Sequence, residues 1–339
     1  MGKVHRLGPE QGAHGFVSRD VKPVLAIDPG DTVVFQTLDA GWGAIEQPPN
    51  FSEPEDFSPR DLNRDVAHAL TGPVEIRGAR PGMVLEIHLR RIEPGHWGWS
   101  GGVKLPAQLD ARLGIAGGAT GPPAVIQVPR GEAATYWELQ PERGIGISRS
   151  GLQLRLSPFM GIMGMPLDKP GIQSTFPPTP CGGNMDCREL VAGSILFLPI
   201  ALPGGLFFTG DGHAVQGDGE VAGPALNCPM EVEMEFLLRT DLALTLPRAR
   251  TAEGWLTFGL HENLDEAAAI AAVEMVKLMT EEHKLSAKEA LSLASLVVHL
   301  RVTQMVNGVR GVHAVLPHGA LSSPGPRLEK TPTEGRKRT

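Results

Sequence analysis

The sequence predicts a mainly β protein of β-sandwich-like layers, followed by a C-terminal α/β portion that contains an antiparallel helix pair. Three observations carry that expectation. Glycine and proline number 42 and 30 in 339 residues, a density that suits short strands joined by tight turns. Between residues 22 and 260 the apolar residues come in short β-rich or alternating runs, most of them bounded by Gly, Pro, Asp or Asn. Beyond residue 260 the apolar period becomes helical.

Taken in order, residues 1–20 are read as an N-terminal arm and 21–260 as a β-rich catalytic region. Its strand candidates are DTVVFQT (31–37), GPVEIRG (72–78), MVLEIHLRRIE (83–93), AVIQVPR (124–130), LQLRLSP (152–158), SILFLPIAL (194–202), LFFTG (206–210) and MEVEMEFLLR (230–239). Three strands are launched by similar turns, DPGDTVVF, ARPGMVLEI and LVAGSILFLP, which hints at a duplicated layer. In MEVEMEF, Met230, Val232, Met234 and Phe236 alternate with Glu231, Glu233 and Glu235. That is the pattern of a half-exposed strand, with a site-facing glutamate as the alternative. The segment 261–318 holds the helix pair and a terminal strand. Asn263 with Glu266 and Ser286 with Glu289 are spaced as capping boxes. Ala267, Ala271, Met275, Leu278 and Met279 form the apolar face of the first helix, and Leu291, Ala294 and Val298 that of the second. The helices are joined by about three residues, which favours an antiparallel pair. VRGVHAVLP (309–317) returns to strand composition, and 319–339 is polar, basic and Pro-rich, the composition of a disordered tail.

Composition removes several classes of function. The net charge is −7, so no overall positive field draws the chain to nucleic acid or anionic lipid. No run approaches 18 apolar residues, so no membrane span is expected. Three cysteines are too few for a disulfide framework and, with no apolar leader at the N-terminus, suggest the cytoplasm. There is no Walker A loop, no dinucleotide fingerprint between strand and helix, no CxxC pair and no HExxH.

What stands out is GDGHAVQGDGE, 210–220. Asp211 and His213 are two apart, so on an extended strand they share a face. Asp218-Gly219 is a tight-turn signal that would bring Glu220 back beside that strand. Three carboxylates cannot crowd together ionised without a cation, a shared proton or strong hydrogen bonds. A hard or borderline divalent metal suits the mixture; a plain hairpin with a solvated Asp211 is the bland alternative. Upstream, CGGNMDCREL (181–190) supplies Asp186 in a second Gly-rich bend. VAGSILFLPIALPGGLFFTG (191–210) can form a hairpin around Pro203-Gly204-Gly205 that carries Asp186 and Asp211 to one end of a sheet.

Other candidates are weaker. Cys187 has no local base or cation and reads as a buried thiol rather than a nucleophile. His68 reads as a capping or core histidine and His88 as exposed. His96 lies in a Trp-rich loop, 97–99, suited to a lid or an interface. Ser100 has no nucleophile-elbow spacing, and Lys104 and Lys169 read as solvated.

GGNMD (182–186) and GDGHAVQGDGE (210–220) together resemble the acetamidase/formamidase family. HALTGPVEIRGARPGMVLEI (68–87), SPFMGIMGMP (157–166) and RVTQMVNGVRGVHAVLP (301–317) extend the likeness across most of residues 20–318. The resemblance implies a β-sandwich-like fold and hydrolysis of a small amide such as formamide or acetamide to ammonia and a carboxylate; some relatives act on other, including cyclic, amides. The motif positions fall on Asn184, Asp186, Asp211, His213, Gln216, Asp218 and Glu220. The chain departs from the pattern at PPTPC before GGN, where many relatives carry an Arg-Glu pair, at Cys187, and at His299.

The expected site has Asp186, Asp211 and His213 holding a divalent ion, zinc first, with calcium or another divalent ion as options. Glu220 is the base, and Asn184 or Gln216 donates to the carbonyl oxygen as it becomes anionic, an effect worth roughly 3–4 kcal/mol. Rival expectations are a metal-free carboxylate pair and a non-catalytic metal- or small-ligand-binding protein. The expected partner is a small amide, with no nucleic acid and no membrane, in a homo-oligomer (dimer or higher).

Overall fold

The computed structural model describes residues 2–46, 54–101, 112–113, 125–129 and 134–321. Two sheets face each other across one large apolar core. The first has nine strands in the order Val4–Leu7, Thr32–Thr37, Met230–Arg239, Val84–Pro94, Ile195–Pro199, Arg248–Arg250, Gly254–His261, Arg310–Pro317, His299–Gln304. The main path of the second runs Gln153–Arg155, Ile145–Ser148, Ala134–Gln140, Trp97–Gly101, Leu226–Asn227, Phe207–Val215, Phe159–Gly164, Gly182–Asn184, with Leu70–Ile76 branching from Phe207–Val215 and two short strands pairing with Leu70–Ile76 in turn. Phe35 and Phe236 of the first sheet meet Phe207 of the second at ring centroids of 6.0 and 5.0 Å, and Met160, Met163, Val232 and Met234 fill the same core. This is the β-sandwich-like architecture that the alternating runs predicted.

The alternation is realised strand by strand. Met230, Val232, Met234 and Phe236 are buried. Glu231, Glu233 and Glu235 face outward and pair with Arg91 and Arg90 across the neighbouring strand, so none of them faces the site. The three strands launched by similar turns all lie in the first sheet. Val4–Leu7, within the expected arm, is an edge strand pairing in parallel with Thr32–Thr37.

Several local expectations differ from what forms. The hairpin around Pro203-Gly204-Gly205 does not exist: Ile195–Pro199 belongs to the first sheet and Phe207–Val215 to the second. The turn crosses between layers because its backbone docks on the Leu70–Ile76 strand, Ile76 N–H donating to Gly204 O at 2.9 Å. Within AVIQVPR, residues 125–129 form no strand and the ends lie outside the described residues. The Trp-rich segment is a strand, with Trp97 and Trp99 buried against Ala40, Val128 and Tyr136, and so offers no exposed aromatic surface. Lys104 and residues 322–339 of the expected tail lie outside the described residues.

The helix pair spans Leu264–His283 and Ala287–Val297. Asn263 Oδ1 accepts from the N–H groups of Asp265 and Glu266, and Ser286 with Glu289 forms a full capping box. All five residues of the first predicted face are fully buried. The second helix turns differently: Ala290 is buried, Leu293, Ala294 and Val297 pack inward, and Leu291 is 59% exposed. The helix is short and seated on the first helix rather than on the sheet, so its inner face is set by that contact.

Candidate active site

Phe207–Val215 runs straight through the first half of the glycine-rich motif, so Asp211 and His213 sit on a central strand of the second sheet. Its antiparallel neighbour Phe159–Gly164 pairs in turn with Gly182–Asn184, which delivers Asp186 just past the strand end. The two segments therefore converge through a shared neighbour, not through a hairpin. Asp218-Gly219 lies in the loop 216–225, which returns the chain antiparallel beside Phe207–Val215 as Leu226–Asn227, rather than in a tight two-residue hairpin. Gly219 bridges to Gln304 of the His299–Gln304 strand, and Asp218 is held bidentately by Arg301 of the same strand, both contacts 2.9 Å. Glu220 enters the site from that anchored turn.

Asp186, Asp211 and Glu220 all adopt left-handed backbone conformations, with φ of 50°, 54° and 46°. Among the described residues only three other non-glycine residues do so. A side chain in that region costs about 1–2 kcal/mol, and such strain concentrates at functional sites. Here it aims three carboxylates at one point.

The side chains are buried together. His213 Nε2 lies 3.1 Å from Asp211 Oδ1, and its Nδ1 lies 2.9 Å from Gln216 Oε1 and 4.0 Å from Asp186 Oδ1. Gln216 Nε2 donates to the Asp186 carbonyl at 2.8 Å, and Asn307 Nδ2 to Asp186 Oδ2 at 2.5 Å. Asn184 Nδ2 donates to Phe176 O at 3.1 Å. Each of these two amide groups thus spends one of its two N–H donors on the protein, which leaves the second N–H of each for a substrate carbonyl. Gln216 also fixes the His213 ring, and Asn184 presents an acceptor.

The electrostatics follow from burial. Burial pushes Asp186 up to about 7, the His213 charge opposing and the Asp211 charge reinforcing that rise. Burial, then the charges of Asp186 and Asp211, hold Glu220 well above the usual carboxylate range. Asp211 stays below that range because His213 outweighs its burial, and His213 is raised because Asp211 does the same for it. The result is one buried ion pair beside two carboxyls that compete for a proton.

The residues present fit a divalent cation. Asp186, His213 and Glu220 each offer a ligand atom, all within 4.8 Å of one another. Asp186 Oδ1, Glu220 Oε2 and Asn184 Oδ1 are buried with no hydrogen-bond partner, which is costly unless something positive meets them. A Cβ on Gly161 would fall 2.8 Å from Asp186 Oδ1 and 2.9 Å from Asp211 Oδ2, so glycine leaves the space between the carboxylates open. Asp211 stands outside the tight group, behind His213, where a carboxylate orients a ligating imidazole.

Three contributors escaped sequence reasoning. Asn307 lies 121 residues from Asp186, and nothing local marks it. Buried His68 bonds Thr175 through Nδ1 at 2.6 Å, stacks edge-on against Phe176, and feels the charges of Asp211 and His213. Asp39 accepts from Trp99 Nε1 and from the Gly41 and Gly43 N–H groups; burial still pushes it up to about 6, the Asp211 charge adding to the rise. The remaining candidates stand apart: His88 pairs with Glu86 at 2.6 Å and is half-buried, His96 and Lys169 are exposed, and Ser100 Oγ accepts from Trp137. Burial pushes the Cys187 thiol up, away from nucleophilic use.

A two-layer β fold with a buried carboxylate–histidine cluster between strands defines the class. The acetamidase/formamidase family model matches residues 8–167 and 165–252. The chain belongs to the acetamidase/formamidase family. Acetamidase from Bacillus halodurans is 27% identical with a TM-score of 0.75, over 92% of this chain and 97% of that one. A protein of Thermoanaerobacter tengcongensis described as a predicted acetamidase/formamidase is 25% identical with a TM-score of 0.75, over 93% and 96%. The formamidase of Methylophilus methylotrophus is 25% identical over 244 residues, 60% of this chain and 58% of that protein. The chain therefore spans less than two thirds of the length of the curated relatives it matches. Among the described residues no helix is long and apolar enough to cross a membrane.

Proposed function

We propose that the chain is an amidohydrolase that cleaves the C–N bond of a small linear amide, formamide- or acetamide-like, to ammonia and a carboxylate. The observation that carries this reading is the convergence of Asp186, His213 and Glu220, with buried oxygens of both carboxylates left without partners. Family membership and the printed names of the relatives support the substrate class.

Asp186 and His213 would hold a divalent ion, zinc in the first place, with Asp211 fixing the imidazole and Gln216 and Asn307 fixing Asp186. When bound, such an ion acidifies a water and polarises the amide carbonyl. Glu220 takes the proton from the attacking water and delivers it to the departing nitrogen, a role suited to a carboxyl whose affinity for protons burial has raised. Asn184 Oδ1 accepts from the substrate N–H and orients it. Buried His68 and half-buried Phe176, packed edge-on, wall the site against bulk water. We read the chain as a cytoplasmic homo-oligomer: its three thiols are free and buried, and Leu291, Leu296 and Leu300 expose apolar surface suited to a second copy.

The test is ammonia release from a panel of small amides together with elemental analysis. Activity towards formamide or acetamide that falls on chelation and returns with zinc is the expected result. Full activity in metal-free protein would overturn the metal and favour a second reading, for which the raised Asp186 and Glu220 are the specific support: the two carboxyls share one proton and divide acid and base duties themselves. Amide-induced thermal stabilisation without turnover on any amide would overturn hydrolysis altogether.

A further inference from the structure

Cys187 follows Asp186 in the chain but belongs to a different cluster. Its Sγ lies 3.3 Å from Glu189 Oε2, and His313 Nε2 also lies 3.3 Å from that oxygen. One ligand atom from each of the three residues falls within 4.8 Å of the others. Cys187 and His313 are wholly buried.

The arrangement leaves one buried nitrogen without a partner. His313 Nδ1 is 2.8 Å from Thr303 Oγ1, whereas Nε2 is buried, has no hydrogen-bond partner and is directed at the carboxylate. With the proton on Nδ1, a lone pair on nitrogen faces a lone pair on oxygen. Arg301 Nη1 occupies the other carboxylate oxygen, Oε1, at 2.7 Å, and Oε2 accepts the weak Cys187 S–H bond at 3.3 Å, which a cation would replace. A cation among Sγ, Nε2 and Oε2 relieves this repulsion, and the Cys187 thiol proton leaves to solvent as the thiolate ligates it. Sulfur, imidazole and a single carboxylate form the donor set of zinc and its borderline neighbours, not of calcium or magnesium, which favour oxygen. Thr303 then plays the part of the outer group that fixes the tautomer of a ligating histidine.

We propose that Cys187, Glu189 and His313 form a second metal site, for zinc or a similar transition ion, that pins the Asp186 segment to the first sheet. Cys187 and Glu189 lie on the crossing from Gly182–Asn184 in the second sheet to Ile195–Pro199 in the first, and His313 lies on Arg310–Pro317 of the first. The site is independent of amide hydrolysis and differs from the Asp186–His213–Glu220 cluster in containing sulfur.

That difference makes it testable without activity. Full-length protein stripped with a chelator is titrated with cobalt(II). The expected result is near-ultraviolet thiolate-to-cobalt charge-transfer absorption saturating at one equivalent, lost in Cys187→Ser and in His313→Asn, and kept in Asp186→Asn. Absence of the band from the parent protein, or its persistence in Cys187→Ser, overturns the proposal. Should the variants fail to fold, X-ray absorption on the zinc-loaded parent protein decides: a sulfur neighbour at about 2.3 Å supports the site, and a shell of nitrogen and oxygen alone overturns it.

Discussion

At the scale of single residues, the site trades stability for aim. Glu220 carries a left-handed backbone, a buried carboxyl and an oxygen with no partner. Each of these is unfavourable in the folded chain. Glu220→Gly removes all three, and relief of the backbone alone is worth about 1 kcal/mol. The expected outcome is a variant at least as stable as the parent in urea denaturation, with amide hydrolysis reduced about 10²–10⁴-fold; Glu220→Gln should lose activity to the same extent without the backbone gain. Asp186, Asp211, His213 and Glu220 were legible as candidates because ligand-type side chains crowd between glycines, and the fold brings these four together. Asn307, His68 and Asp39 were not, because their only mark is a contact made across the fold.

At the scale of elements, the N-terminal strand shows how a single acid can seat a segment. Asp31 accepts from the Lys3 N–H at 2.6 Å, from His5 Nε2 at 3.0 Å and from the Asp28 N–H at 3.1 Å. Burial opposes its ionisation, but these partners win and hold it at about 2. Its folded value lies below its unfolded one, so its contribution is present above about pH 4 and fades as pH falls towards 2. Asp31→Asn should cost about 2 kcal/mol at pH 7 by urea denaturation, and the gap between variant and parent should close as pH falls from 4 to 2. Strand periods were well read from sequence, as Met230–Arg239 illustrates. Connections were read less well: Pro203-Gly204-Gly205 carries a hairpin signal yet crosses between sheets, and Asp218-Gly219 sits in a longer reversing loop that also bridges to Gln304. Turn residues permit a reversal of the chain without choosing the strand that receives it.

At the scale of the molecule, the helix pair completes the first sheet. Leu264–His283 lies so close to Gly254–His261 that a Cβ on Gly259 would fall 1.8 Å from the Ala267 carbonyl oxygen, and Thr257 Oγ1 donates to Ala271 O at 2.9 Å. Gly259→Ala must push the helix outward and open the layer formed by Ala267, Ala271, Met275 and Met279. A loss of roughly 1–3 kcal/mol is expected, read as a lower thermal midpoint. The sequence by itself determined the β-sandwich-like class, the capped helix pair, the strand faces and the two short motifs that hold most of the ligand-type groups. These are local properties, written in period, capping and glycine spacing. Tertiary structure alone decided that the segments bearing Asp186 and Asp211 meet through Phe159–Gly164, that the turn before Glu220 is anchored by His299–Gln304, and that Asn307 and His313 reach back to the loop at 186–189. Those meetings depend on which strands become neighbours and in what register, and a period-2 pattern is the same whichever neighbour a strand takes.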